Sequence, residues 1–318
     1  PTAIPEGWLR VRFLRPASPA SGPRSRQRRS GWRRLTALAW VGLACLGSSG
    51  AAFAQAVLES VSNAQLTGSG PAINGPASGS QIVTLRRNTD NPTGTTFVAS
   101  SSGLTVTYSL TNQQFSGFTS AELFTSGTGG NGAFFGGGPT NYDQGGPAQA
   151  PVYRALSTVG QSASADFTSF FPSGGNQGID ASVNAGVQLS LVSNAIALRS
   201  PSTPTTARVH MADLVLNFNT AVDNPILHIS GMGGRTASNR NDPTGTQLGI
   251  SAEFDLLTPG LTFSKLSGNS SFVVSPTRIV NGAALITGFC ATQAGACGSV
   301  MIEGNSIRTV TLRLYLRG

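Results

Sequence analysis

Lysine is almost missing from this chain: Lys265 stands alone among 318 residues. That excludes most lysine-dependent chemistry, and no Gly-Lys-Ser/Thr occurs anywhere, so there is no P-loop. Histidine is nearly as scarce, with only His210 and His228. Neither a Gly-x-Ser-x-Gly nucleophile elbow nor a His-Glu-x-x-His zinc helix is present. All three tryptophans (Trp8, Trp32, Trp40) precede Gln55, so the remainder has no tryptophan on which a sugar could stack. Excess positive charge is also lacking where it would count. Residues 1–54 carry 9 arginines against one acid, Glu6, while the other 264 carry 12 basic and 12 acidic residues. The formal charge of +8 therefore resides entirely in the first segment. A general nucleic-acid binder needs surplus Arg and Lys to neutralise phosphates, so no nucleic-acid partner is expected.

The basic segment reads as an export leader. Arg24, Arg26, Arg28, Arg29, Arg33 and Arg34 precede an apolar run over residues 35–46. That run has the length of a signal-peptide core and is too short to span a bilayer. Ala52-Phe53-Ala54 provides an A-x-A cleavage site, which makes Gln55 the expected mature start. Alternatives are a basic amphipathic arm, or a lipid anchor at Cys45. Against the anchor, Gly42 stands where a lipobox wants Leu. The chain opens on Pro1 and its first methionine is Met211, so residues 1–23 are read as a truncated or over-extended reading frame. No second apolar run of about 18 residues follows. The expected product is secreted or at the cell surface, with no transmembrane segment after the signal peptide.

Cys290 and Cys297 are the remaining cysteines, and in an oxidising compartment they are expected to form a disulfide. A zinc site is the alternative, but this pair lacks the short ligand spacing and has no nearby His.

The apolar pattern of the mature part has period two. Residues 104–110, 187–191 and 310–316 alternate, 214–218 do so loosely, and β-branched and aromatic residues are common in them. Turn signals separate the runs, at Pro92-Thr93-Gly94, Ser173-Gly174-Gly175-Asn176, Thr258-Pro259-Gly260 and Ser267-Gly268-Asn269. No sustained amphipathic helix is visible. The expected fold is all-β, an antiparallel β-sandwich of lectin-like or jelly-roll type. Residues 1–54 are expected to be a disordered extension plus signal peptide, and 55–318 a single sandwich domain. Residues 201–206 are a long inter-sheet connection or, alternatively, a domain boundary.

Two segments resemble each other. Residues 88–95 and 239–246 both run through Asx residues into Pro-Thr-Gly-Thr. Asx side chains cap turns, Pro presets φ and Gly accepts positive φ. Such segments are either a β-turn used twice or a pair of polar recognition loops, with Asp90, Asn91, Asn239, Asn241 and Asp242 as contacts. Ca²⁺ on these carboxylates is an alternative, although neither loop matches an EF-hand; no other cofactor is expected. Residues 127–146 are glycine-rich around Phe134 and Tyr142. Gly127-Thr128-Gly129-Gly130-Asn131-Gly132 matches a dinucleotide fingerprint literally, but no helix pattern follows it. The segment reads as a long surface loop in which Phe134 and Tyr142 are candidate contacts.

Catalytic groups are sparse. On a flat strand His210 and Asp213 face opposite sides, and His228 faces away from Leu227 and Ile229. Both histidines read as structural. Glu253 and Asp255 share a strand face and are the one close carboxylate pair on a clear strand, the spacing a glycosidase would need; a solvated face is the plainer reading.

The C-terminal third carries a further pattern. Asn224-Pro225-Ile226-Leu227-His228-Ile229-Ser230-Gly231-Met232-Gly233-Gly234 is followed by Ser251-Ala252-Glu253-Phe254 and by residues 261–269. Gly298-Ser299-Val300 and the closing strand 310–316 complete it. Residues 207–318, and more loosely 81–200, resemble the non-repetitive, lectin-like domain of CshA-type bacterial surface adhesins. The resemblance implies a β-sandwich that binds a host or matrix glycoprotein or glycan. The chain departs from those adhesins in having an Arg-rich leader, no repeats and no LPxTG signal, so it is expected to belong to a longer surface protein. The function expected is non-catalytic adhesion. The alternatives are a structural module of a matrix or fibre, and a sandwich-fold carbohydrate-active enzyme using Glu253 and Asp255.

Overall fold

The computed structural model describes residues 58–59, 77–89, 96–99, 102–115, 132–136, 152–167, 179–191, 206–235, 249–284, 286 and 289–318. All belong to the unit Ala54–Gly318. The first strands are β1 (Leu58–Glu59), β2 (Gln81–Thr84), β3 (Arg86–Asn88), β4 (Phe97–Ala99), β5 (Thr105–Thr111) and β6 (Ala133–Phe135). Then come β7 (Tyr153–Ala155), β8 (Ala185–Val187), β9 (Leu189–Leu191), β10 (Val209–Val222), β11 (Ile226–Met232) and β12 (Gly234–Arg235). The last are β13 (Gly249–Leu256), β14 (Thr262–Gly268), β15 (Phe272–Ser275), β16 (Arg278–Asn281), β17 (Ala296–Glu303) and β18 (Ile307–Arg317). Two 3-10 turns, Leu156–Thr158 and Ser164–Asp166, are the helical elements among the described residues. None is long and apolar enough to cross a membrane.

The fold is all-β and antiparallel. One layer is a large sheet in the order β15-β16-β13-β18-β10-β5-β2. Its centre, β18, shows why the sequence forms this layer. Val310, Leu312, Leu314 and Leu316 are buried, while Thr311, Arg313, Tyr315 and Arg317 between them face the other way. β10 and β13 flank it with matching alternation: Leu214 lies opposite Leu312, and Phe254 opposite Leu314. Each fully buried leucine of this row contributes about 2 kcal/mol of transfer free energy. A register shift interrupts β10 between His210 and Ala212. Such a bulge adds a residue on one strand and re-aims the side chains beside it.

The facing layer contains the sheet β11-β17-β14. Its Val300, Ile302 and Phe263 join Leu214, Leu312 and Phe254 in one core cluster, which makes the two sheets a sandwich. Close approach requires glycine at one point. Gly268 of β14 lies opposite Gly298 of β17, and a Cβ on Gly298 would run into the Phe272 ring and the Ser267 carbonyl. Asn269 fixes the adjoining turn. It donates to the carbonyls of Cys290 (3.2 Å) and Gly295 (2.7 Å) and accepts from the Phe272 amide (3.1 Å). Lys265 Nζ closes the same turn on the carbonyls of Asn269 (3.2 Å) and Phe272 (2.6 Å). The single lysine is thus a turn anchor. Cys290 and Cys297 form a disulfide with their Cα atoms 5.8 Å apart. A smaller cluster of Leu156, Phe167, Ile179 and Ala181 covers the far side of β11-β17-β14.

Candidate functional site

The two Asx-Pro-Thr-Gly-Thr segments occupy equivalent topological places. Residues 88–95 run from the last residue of β3 to just before Thr96 and β4; β3 and β4 pair antiparallel with Arg86 opposite Ala99. The Thr89 amide and hydroxyl both donate to the Thr96 carbonyl at 3.0 Å, closing this hairpin. Residues 239–246 lie between β12 and β13, which pair antiparallel with Gly234 opposite Ile250. Each segment is therefore a hairpin connection. Asp90, Asn91, Asn239, Asn241 and Asp242 themselves, and with them the Ca²⁺ alternative, lie outside the described residues, as does Tyr142. Phe134 is described, and the expectation of an exposed contact fails there. It is 3 % exposed, in β6 opposite Ser190, because the glycine-rich run contains a strand that pairs with β9 and turns its aromatic rings inward.

The outward face of the large sheet carries an ionic network. Glu253 and Asp255 do share a face, as their odd-numbered positions in β13 require. Arg208 sits between them. Its Nε donates to Glu253 at 2.5 Å, and its Nη2 and Nη1 donate to the two oxygens of Asp255 at 2.7 and 2.9 Å. The guanidinium also lies over the Tyr315 ring, 3.7 Å from its centroid. Arg278 makes a second two-point contact with Asp255, at 2.7 and 3.1 Å, and Arg317 reaches Glu253 at 3.3 Å. Burial works against ionisation of Asp255, but the hydrogen bonds from Arg208 and Arg278 outweigh it and hold its carboxyl below the usual range. A glycosidase acid needs the opposite shift, toward a carboxyl still protonated near neutral pH.

The same face carries Asp213, gripped by Arg313 at 2.9 and 3.2 Å and by the Asn112 amide at 3.0 Å. Here too burial is outweighed by the hydrogen bonds, and the carboxyl stays below its ordinary range. His210 Nε2 lies 3.3 Å from Asp213 Oδ1, contrary to the flat-strand expectation of opposite faces. The bulge next to His210 supplies the extra residue that brings the two together.

His228 does face away from Leu227 and Ile229. Its Nδ1 lies 2.8 Å from Ser299 Oγ, and its ring meets Phe167 edge-on at 5.9 Å. Burial pulls its pKa down to about 4. It is a neutral structural side chain at physiological pH, with no carboxylate contact among the described residues.

A cleft of about 410 Å³ opens between the layers. Residues 186–191 and 227–234 line it in two unbroken runs, over a floor of Leu214, Ala252, Phe254, Leu312 and Leu316. Arg154 stands at its wall with Nη1 3.1 Å from Gln188 Oε1. The sequence pattern contains a trace of the ionic face, since alternation in β18 sets Arg313, Tyr315 and Arg317 on one side. It contains no trace of which acids those arginines meet, nor of the cleft, because both depend on register between distant strands. No family model, curated protein or solved structure matches this chain.

Proposed function

We propose that this chain is an exported, non-catalytic recognition domain of a cell-surface adhesin, which binds a glycan or glycoprotein through polar hairpin loops. The observation that supports it is topological: the two like-sequence Asx-rich segments each connect an antiparallel strand pair. Hairpin ends on a rigid sandwich are where binding loops are commonly carried. Asn and Asp at such ends offer the amide and carboxylate edges that bond sugar hydroxyls. The state of Glu253 and Asp255 supports a binding role over a hydrolytic one. Both carboxylates are occupied by guanidinium groups, which leaves no free acid to protonate a glycosidic oxygen at that pair.

The test is binding of the purified protein to a glycan array and to immobilised matrix glycoproteins. It is compared with a variant carrying alanine at Asp90, Asn91, Tyr142, Asn239, Asn241 and Asp242. The expected result is binding that weakens at least about tenfold in the variant, the loss of one good polar contact or more, with an unchanged melting temperature. Binding that is equal in both proteins would refute the loop assignment. Release of reducing sugar that disappears in Glu253→Gln would refute the non-catalytic reading.

A further inference from the structure

β11 is an edge strand. It pairs with β17 on one side, and no described strand pairs with its other side. The Pro225 carbonyl accepts from the Ile302 amide at 2.9 Å, and Leu227 and Ile229 continue that alternation toward β17. The backbone groups of Ile226, His228 and Ser230 therefore point the other way. Across the cleft, residues 186–191 show the mirror situation. The Gln188 amide donates to the Val152 carbonyl and its carbonyl accepts from the Gly136 amide, both at 2.8 Å. Both groups of Gln188 face β7 and β6, so Val187 and Leu189 turn theirs to the opposite edge, where again no described strand pairs.

The two unbroken runs that line the cleft contain these two edges, the second continuing past Met232 into β12. A cavity touching consecutive residues of a strand runs along its edge, because a cavity on one face would touch alternate residues only. The floor beneath is apolar. Half-buried Arg154 at the wall has no carboxylate partner among the described residues.

We propose that this cleft is a strand acceptor. It takes an extended peptide segment of a partner chain as an added strand on β11. The segment has apolar side chains at alternate positions, and a carboxylate where it meets Arg154. Backbone donors and acceptors on both walls select a peptide over a lipid, because only a peptide answers them at the strand repeat of about 3.4 Å per residue. The apolar floor selects the alternating side chains, and the lone guanidinium selects the acid. Adding a strand also covers an edge that would otherwise invite uncontrolled pairing. The proposal rests on none of the loop residues, so failure here leaves the glycan reading standing, and the reverse also holds.

The test uses the full protein and a fluorescein-labelled peptide, Val-Ser-Val-Ser-Val-Ser-Val-Asp, followed by fluorescence anisotropy. The expected result is saturable binding that is lost when alternate peptide amides are N-methylated, since methylation removes donors while keeping composition. Arg154→Gln is expected to weaken the Asp-ended peptide about tenfold, the loss of one charge-assisted pair, and to leave an Asn-amide-ended peptide unchanged. Ala252→Leu, which fills the floor with apolar bulk, is expected to weaken both peptides while circular dichroism stays that of the parent protein. Binding that tolerates N-methylation would overturn the proposal. So would binding of dodecanoate in place of the peptide, or no binding at all.

Discussion

Lowering the pH from 7 to 5 is predicted to destabilise the protein by about 2 kcal/mol through His228 alone, as the linkage between protonation and folding requires. In the unfolded chain this imidazole has its ordinary pKa of 6.5, and in the fold burial lowers it to about 4. A depressed histidine favours the neutral form in the native state. Its contribution is therefore complete above the unfolded value and is lost as pH falls from 6.5 toward 4. The gap of about 2.5 pH units, at about 1.4 kcal/mol per unit, bounds the total near about 3.4 kcal/mol; by pH 5 roughly 2 kcal/mol of it is gone. With a urea slope of about 2–3 kcal/mol/M, the unfolding midpoint should fall by about 0.6–1 M between pH 7 and pH 5. The control is His228→Gln, which keeps a polar group near Ser299 and has no titration in this range. Its absolute stability is free to differ; what matters is that its midpoint changes with pH by less than half as much. A parent midpoint that holds constant over this range would refute the burial of the imidazole. So would a variant that keeps the full pH dependence. The ionic face adds its own acid sensitivity at lower pH, because the carboxyls of Asp213 and Asp255 are held below their ordinary range; their contribution is present above that range and is lost as pH falls below it toward their folded values.

Three further outcomes are expected. Leu314→Ala removes a side chain with no exposure at the centre of the sandwich; urea unfolding should show a loss of about 2–5 kcal/mol without a change in far-ultraviolet circular dichroism at room temperature. Gly298→Ala places a methyl against Phe272 and the Ser267 carbonyl. The predicted cost is about 1–3 kcal/mol, and Phe272→Leu in the same chain should recover part of it. Reducing the disulfide between Cys290 and Cys297 opens a ring of about eight residues and should lower stability by about 2.5 kcal/mol, read as a downward shift of the urea midpoint in dithiothreitol.

The sequence motifs that led to an expected likeness to surface adhesins have architectural explanations in the structure. Gly268 and Gly298 are opposed where β14 and β17 approach Phe272. Asn269 organises the turn beside the disulfide, and Lys265 closes it. Asn224 takes a positive φ of 46° and accepts from the Gly304 amide at 2.9 Å. Each of these residues holds backbone in place, and a pattern built from them speaks to fold more than to ligand.

The amino-acid order alone determined the fold class and the disulfide, because both follow from local chemistry. Side-chain alternation makes strands such as β5 and β18 legible over a short run, and two cysteines in an otherwise thiol-free stretch have one partner each. It also determined that Glu253 and Asp255 share a face, since that needs only the period of a strand. Tertiary structure decided what those carboxylates do. Arg208 and Arg278 approach them from distant positions in the chain, and neither was visible as a partner until register was fixed. It decided that Phe134 is core, because a glycine-rich run reads as loop until a strand elsewhere offers it a ladder. A bulge, invisible in a period-two pattern, joined His210 to Asp213. The edges that bound the cleft belong to strands well separated along the chain, and no local property of either one states that the other lies across from it.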